Sequence, residues 1–243
     1  SLLGISSIGI GDRDAVYGLV RAHKAAKQYG VHLISGATLT IKERPPLTVL
    51  VENDAGWRNL CRLLTKAREG SEKGFAVSSV GDVLEHHDGL TVLFHHGWER
   101  EQAAPFADGF REHVGVLLTR HLCPQDRERF RWAHQLARSF NWPLIATSDA
   151  LSHVRERKRV VDVLTCIRLG MTLEEAGSRL LANEERVLLS EAVFRERFSD
   201  VPQAVQNGLA LAERCDFSLD SLKYNYPREV VPSGQTPMMW LRC

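Results

Sequence analysis

Six short runs rich in β-forming residues, most of them apolar without alternation, are spread through the first 150 residues, and they constrain the fold more than any other feature. They are Ile5–Ile10, Val31–Gly36, Thr48–Val51, Leu90–Phe94, Val114–Leu118 and Pro143–Thr147. A strand with one wet face alternates apolar and polar residues, so an uninterrupted apolar run signals a strand covered on both faces. Helical patterns lie between several of these runs. Asp14 is placed to cap a helix whose apolar face carries Val16, Leu19, Val20, His23 and Ala26. Asp54 opens a second helix through Trp57, Leu60, Cys61 and Leu64. Pro124 stands at the start of a third, with Phe130, Ala133, Leu136, Ala137 and Phe140 at helical spacing. This alternation predicts an α/β fold around a parallel sheet, open or closed into a barrel.

After His153 the strand signals stop. Short helices are expected at Val160–Arg168, Leu173–Leu180, Glu191–Phe198 and Val201–Cys215, the last with Val201, Ala204, Val205, Leu209, Ala212 and Cys215 on one face. This change places a boundary near residue 155, between an α/β unit and a helical extension. Pro227, Pro232 and Pro237 then punctuate an irregular tail.

Composition narrows the function classes. The chain has 243 residues, enough for a substantial core, and its net charge of +1 supplies no global field toward nucleic acid or anionic lipid. Any such partner would meet a local patch. The five cysteines are widely spaced, odd in number and free of C-x-x-C, which excludes a zinc ribbon or a disulfide framework. Three of them, Cys61, Cys166 and Cys215, sit in apolar helical patterns and are expected to be buried free thiols of a cytoplasmic protein. No apolar run approaches the ~18 residues of a membrane span, and no signal peptide opens the chain. It starts at Ser1 and stops at Met239-Trp240-Leu241-Arg242-Cys243, as a piece of something longer would.

In parallel α/β folds, reactive groups gather beyond the carboxyl ends of the strands. Those positions hold Asp12, Thr38, His95, His96, His121 and Asp149, a set of Asp and His suited to an oxygen- and nitrogen-ligated metal site. Bland roles compete. Asp14 suits a helix cap, His23 a core boundary, and His86-His87 a solvated helix end, while His32 has no obvious partner. Arg155, Arg157, Lys158 and Arg159 form the one compact basic cluster, a solvated face or a nucleic-acid contact. No Walker loop, dinucleotide fingerprint, nucleophile elbow or H-E-x-x-H occurs.

Several motifs in one order resemble the bacterial C-family DNA polymerases, relatives of the replicative polymerase III alpha subunit, and above all their error-prone, damage-inducible branch. They are Gly11-Asp12-Arg13-Asp14, Trp57-Arg58-Asn59-Leu60-Cys61-Arg62-Leu63-Leu64, Asp162-Val163-Leu164-Thr165-Cys166-Ile167-Arg168, Ala212-Glu213-Arg214-Cys215-Asp216-Phe217-Ser218-Leu219 and Tyr224-Asn225-Tyr226-Pro227. The resemblance implies an amino-terminal PHP (polymerase and histidinol phosphatase) domain: a distorted β/α barrel at 1–155, its first strand missing, then a helical extension at 156–226 and the lead-in to a polymerase core at 227–243. It implies a parent DNA polymerase using Mg2+ and nucleoside triphosphates for damage-tolerant synthesis. DNA, the parent's own polymerase core, a sliding clamp and mutagenesis accessory proteins are its implied partners, and no membrane is. Some PHP domains carry metal-dependent phosphoesterase or exonuclease activity, so the alternative reading needs Zn or Mn.

The departures from the family bear on that alternative. Asp12 matches the aspartate of the family's T-D-H, but Arg13 replaces the histidine. The family's G-A-E becomes Gly36-Ala37-Thr38, and its closing D-x-H becomes Asp149-Ala150-Leu151. Asp12, His121 and Asp149 are left as the remnant metal ligands, while His153 would point the same way if the strand continued. The expectation is a degenerate metal site in a segment that is a structural platform, with no catalytic residue and no cofactor of its own.

Overall fold

The computed structural model of the protein describes residues 3–223, together with 231, 234 and 236–241. The Tyr224–Pro227 motif, Pro232 and most of the 227–243 lead-in fall outside the described residues.

All six apolar runs form strands of one curled sheet, in the order β1 (Ser7–Arg13), β2 (His32–Leu39), β3 (Leu47–Val51), β4 (Leu90–Phe94), β5 (Val114–Thr119) and β6 (Leu144–Thr147). The sheet is a half-barrel, with β1 and β6 as its two edges. The expectation of a parallel sheet needs one correction. β1–β2, β4–β5 and β5–β6 are parallel, but β3 runs antiparallel to both of its neighbours. The link at 40–46 contains Pro45 and Pro46 and no helix, and parallel strands need a crossover of a dozen or more residues. β3 therefore folds back as a hairpin partner of β2, pairing Thr38 with Thr48.

Successive residues point to opposite faces, and both faces are covered, which accounts for the unbroken apolarity of the strands. Toward the outer helices point Ala37, Leu39, Val49, Val51, Val92, Phe94, Val116 and Leu118, all fully or almost fully buried. They pack against α2 (Asp54–Lys66) through Leu60, Leu63 and Leu64, against Phe106 and Phe110 of a short helix, and against Ala133, Leu136 and Ala137 of the long helix Asp126–Phe140. The inner face gathers Ile34, Leu50, Leu93 and Ile145. Leu211, Ala212 and Cys215, from the helix Pro202–Arg214 and its end, lie on that face, so this helix covers part of the inner side of the half-barrel. Burial raises the Cys215 thiol to about 12, which leaves it protonated and unreactive.

Local chemistry explains where α2 starts and why it can sit so close. The Asn53 side chain accepts N–H bonds from Ala55 and Gly56 at 3.0 and 3.1 Å, an N-cap on the residue before Asp54. A Cβ on Gly56 would stand 1.8 Å from the Gly89 carbonyl oxygen, so only glycine allows the helix to touch the loop ahead of β4.

Three further expectations change. Asp14 does not cap a helix: α1 (Leu19–Tyr29) starts beyond Gly18, and Asp14, at φ +50°, accepts from the N–H and hydroxyl of Thr40, both at 2.7 Å. Its carboxylate is spent on the end of β2, where it competes better than a helix five residues away. Val20 is exposed on α1, and Cys61 is exposed on α2, because both helices bury a narrower stripe than the sequence periodicity suggests. His32 does have a partner: its Nε2 lies 2.9 Å from the Cys215 carbonyl oxygen, 183 positions away, a pairing that no local pattern encodes.

Beyond β6 come α3 (Lys158–Leu169), a short helix Leu173–Ala176, a helix Glu191–Arg197 and the helix Pro202–Arg214. Between them, residues 180–189 form a strap that returns to the sheet. Val187 bridges Ser152, Leu188 donates to the Ser152 carbonyl, and the Asn183 amide donates to the carbonyls of His121 and Leu122. No helix among the described residues is long and apolar enough to cross a membrane.

Candidate functional site at the strand-end mouth

With β3 reversed, the carboxyl ends of the other five strands and the start of β3 meet at one mouth. It opens into a cavity of about 1700 Å³ lined by Asp12, Arg13, Thr38, His95, His96, His121, Arg129, Asp149, His153 and Arg186, among others. All six strand-end residues singled out in the sequence line this cavity. The topology thus brings them together, and the remaining question is what their polar atoms are engaged with.

Asp12 is partly buried at the end of β1, and its Oδ2 accepts the Gly18 N–H at 2.7 Å. That bond satisfies a donor at the start of α1, the capping task that the sequence assigned to Asp14. Thr38 is joined to Thr48 hydroxyl to hydroxyl at 2.9 Å, and Thr48 to His95 Nε2 at 2.7 Å. The two hydroxyls form a neutral relay that orients His95.

His121 is only 7% exposed. Its Nδ1 faces Arg129 Nη1 at 3.1 Å, and a guanidinium can only donate. His121 is therefore held as the tautomer with its proton on Nε2, and that atom is buried with no partner among the described residues. A metal ligand needs the opposite arrangement, a bare ring nitrogen toward the ion and a donating one behind it. Burial is the first cause that lowers the pKa of both His95 and His121. Asp149 pulls each the other way, whereas Arg186 and Arg13 at His95, and Arg186 and Arg129 at His121, reinforce the burial. Both rings are neutral at pH 7.

Asp149, at φ +46°, is gripped from the strap. Arg186 Nη2 donates to its Oδ2, and Arg186 Nε to its carbonyl oxygen at 3.0 Å. Its own N–H donates to Thr147 Oγ1 at 3.1 Å. Sequence reasoning missed Arg186 and Arg129. Arg129 carried a usable signal, one helical turn past the Pro124 helix start, but Arg186 lies in a segment with no periodicity. Leu151 and His153 are exposed beyond Asp149. In the basic cluster, Arg155 pairs with Glu185 at 3.2 Å and Lys158 with Asp162 at 2.6 Å, while Arg157 and Arg159 are exposed.

The model of the PHP domain family matches residues 1–122, half of the chain. The chain belongs to the PHP-domain family. It is also similar over nearly all its length to proteins named error-prone DNA polymerase: 36% identical to that of Pseudomonas fluorescens strain Pf-5, and 35% to that of Pseudomonas aeruginosa strain PAO1. In both cases 99% of this chain aligns, and the chain spans 23% of the relative's length. Among solved structures it overlays on a protein of Bifidobacterium adolescentis described as a metal-dependent phosphoesterase, with a TM-score of 0.44, 16% identity, and coverage of 61% of this chain and 78% of that one. That overlay is too loose to carry function across.

PHP domains imply metal, so the donor set of this one can be tested for fit. Among the described residues no group of three or more His, Cys, Asp and Glu is disposed to hold an ion. The chemistry says why. Asp12 is committed to a backbone N–H, Asp149 to a guanidinium, and His121 presents a proton rather than a lone pair. A cation would have to displace Arg186 and turn out Arg129 before it met ligands. These residues do not fit a metal cluster.

Proposed function

We propose that this chain is the PHP part of an error-prone DNA polymerase, a platform whose own metal site is degenerate. On this reading residues 1–155 are the barrel unit and 156–226 a helical extension that braces the polymerase core. Nucleotidyl transfer, with its Mg2+, DNA and nucleoside triphosphates, belongs to polypeptide outside these 243 residues, as do contacts with a sliding clamp and mutagenesis accessory proteins in the cytoplasm. The similarity to error-prone polymerases along the whole chain supports the assignment.

The observation that carries the platform role is the outer face of α3. Val160, Val163, Leu164 and Ile167 follow i, i+3, i+4, i+7, the spacing of a helix stripe made to be buried, yet Leu164 is 60% and Ile167 71% exposed. The stripe continues over Leu173 into an apolar pocket shared by Cys166, Gly170 and Met171. An apolar face of this extent marks an interaction site. About three-quarters of the length of the relatives lies outside the matched region, which supplies an occupant from the same polypeptide.

The test introduces Leu164→Asp and Ile167→Asp into a polypeptide of the relatives' full length and into the 243-residue chain. Primer extension by the long form should fall at least tenfold, with no loss of melting temperature in the short form. Unchanged extension would overturn the platform role.

A further inference from the structure

Six non-glycine residues among those described have positive φ, and two of them, Leu122 at +51° and Asp149 at +46°, are points where the 180–189 strap meets the sheet. Such a backbone is uncommon for any residue with a side chain and an outlier for a bulky one, and it persists only where neighbours over-determine it. The Leu122 side chain is 64% exposed, so packing does not hold it there. The Asp126 carboxylate accepts from the N–H groups on either side, of His121 at 3.1 Å and Cys123 at 3.3 Å. The rest of the hold comes from the strap, where the Asn183 amide donates to the carbonyls of His121 at 2.6 Å and Leu122 at 3.2 Å. Asp149 is held in the same manner by Arg186, on its carboxylate and its carbonyl oxygen.

The strap itself is lightly anchored. Of residues 180–189 only Val187 and Leu189 are buried. Its backbone meets the sheet's end at two hydrogen bonds, Leu151 N–H to the Arg186 carbonyl at 2.9 Å and Leu188 N–H to the Ser152 carbonyl at 3.2 Å. Glu185 is tied to Arg155 and Arg197. Before the strap stands Gly177, at φ +47° with open space around it, and after it Ser190, the cap of the helix Glu191–Arg197. Such element ends absorb the rotations of a hinge. A segment with few buried apolar side chains opens at lower cost than the sheet it rests on. Asn183, Arg186 and Leu188 line the strand-end cavity, so opening the strap changes access to it.

We propose that the strap is a two-state latch on the strand-end cavity. Closed, as in this structure, Asn183 and Arg186 pin Leu122 and Asp149 in left-handed backbone. Released, both residues return to ordinary φ and the strap side of the cavity opens. Strain at the pinned residues favours release and the polar fastenings oppose it, so single substitutions at either end move the balance. The two pins sit on one short segment and let go together.

Hydrogen exchange of the 243-residue chain, resolved by peptide, tests the latch, and alkylation of Cys123 by iodoacetamide reads access, since Cys123 lines the same cavity. Asn183→Ala should speed exchange of the Leu151 and Leu188 N–H groups, at the far pin, by about tenfold, with melting still cooperative. Arg186→Ala, which breaks no bond to residues 121–123, should speed alkylation of Cys123. Leu122→Gly removes the strain and little packing, and should slow exchange at Leu151 and Leu188 about fivefold. Leu122→Ala keeps a side chain at positive φ and should leave that exchange unchanged. An effect of Asn183→Ala confined to residues 121–123, or equal exchange in the glycine and alanine variants of Leu122, would overturn the latch. Unaltered Cys123 alkylation in Arg186→Ala would overturn its control of access.

Discussion

Arg186 spans both ends of Asp149, one guanidinium nitrogen on the carboxylate and another 3.0 Å from the carbonyl oxygen of the same residue, across 37 positions of sequence. The contact locks the strap to the end of β6 and places a fixed positive charge at the strand-end mouth. Both partners are about three-quarters or two-thirds shielded, so the pair is stronger than a surface salt bridge and weaker than a fully buried one.

Arg186→Ala should therefore cost about 1–2 kcal/mol, which for a chain of this size lowers the melting temperature by about 2–8 °C. Arg186→Lys should recover less than half, since one ammonium cannot reach both oxygens in the fork geometry. Thermal melts of the two variants check this. Equal stability of all three proteins would show that the strap is held without Arg186.

Stability should also respond to pH through the two neutral imidazoles. Burial lowers the pKa of His95 and His121 in the folded state, so below about 6.5 the unfolded chain binds protons that the folded one does not. Melting temperature should then be flat above neutrality and fall as pH drops below about 6.5, until the folded-state values are passed. A His95→Gln, His121→Gln double variant should flatten this acid limb. An acid limb of unchanged depth in that variant would assign the effect to other groups.

The two edges of the half-barrel carry a solubility consequence. Among the described residues β1 pairs only with β2, and its outer edge borders the cavity beside Ile8 and Ile10. An unpaired edge over an apolar groove is a template for another chain. Light scattering of the 243-residue chain should show self-association that rises with concentration, and Ile8→Lys should reduce it. A monodisperse monomer across the range would refute this.

For nucleic acid, the basic run predicts a shallow dependence on salt. Arg155 and Lys158 are already paired, which leaves Arg157 and Arg159. Two phosphate contacts give a slope of log affinity against log salt of about −1.8 on duplex DNA, and four would give about −3.6. Replacing Arg157 and Arg159 by Ala should abolish the slope.

Much of the fold was readable because it is written in local pattern. The apolar runs located all six strands, and the 3.6-residue periodicity of Ala133, Leu136 and Ala137 placed the helix beside β5. The reversal of β3 was also present, in a link too short to cross over, but alternation elsewhere argued for parallel pairing. The site was half legible. Strand ends put Asp12, His95, His121 and Asp149 on the lining of one cavity, because position along a strand fixes position at the mouth. What each carboxylate and ring is bonded to was not legible. The Arg186 grip on Asp149 and the His32 bond to Cys215 join segments 37 and 183 residues apart, and only the folded chain brings them together.

At this mouth guanidinium groups, rather than a metal, engage His121 and Asp149. Metal content of the purified chain, measured alongside phosphoesterase and single-strand exonuclease assays with Mn2+ or Zn2+ supplied, tests it most directly. No stoichiometric metal and no hydrolysis are expected, in the wild type and in Asp12→Ala and Asp149→Ala alike. Tightly bound metal with activity lost in both variants would contradict it.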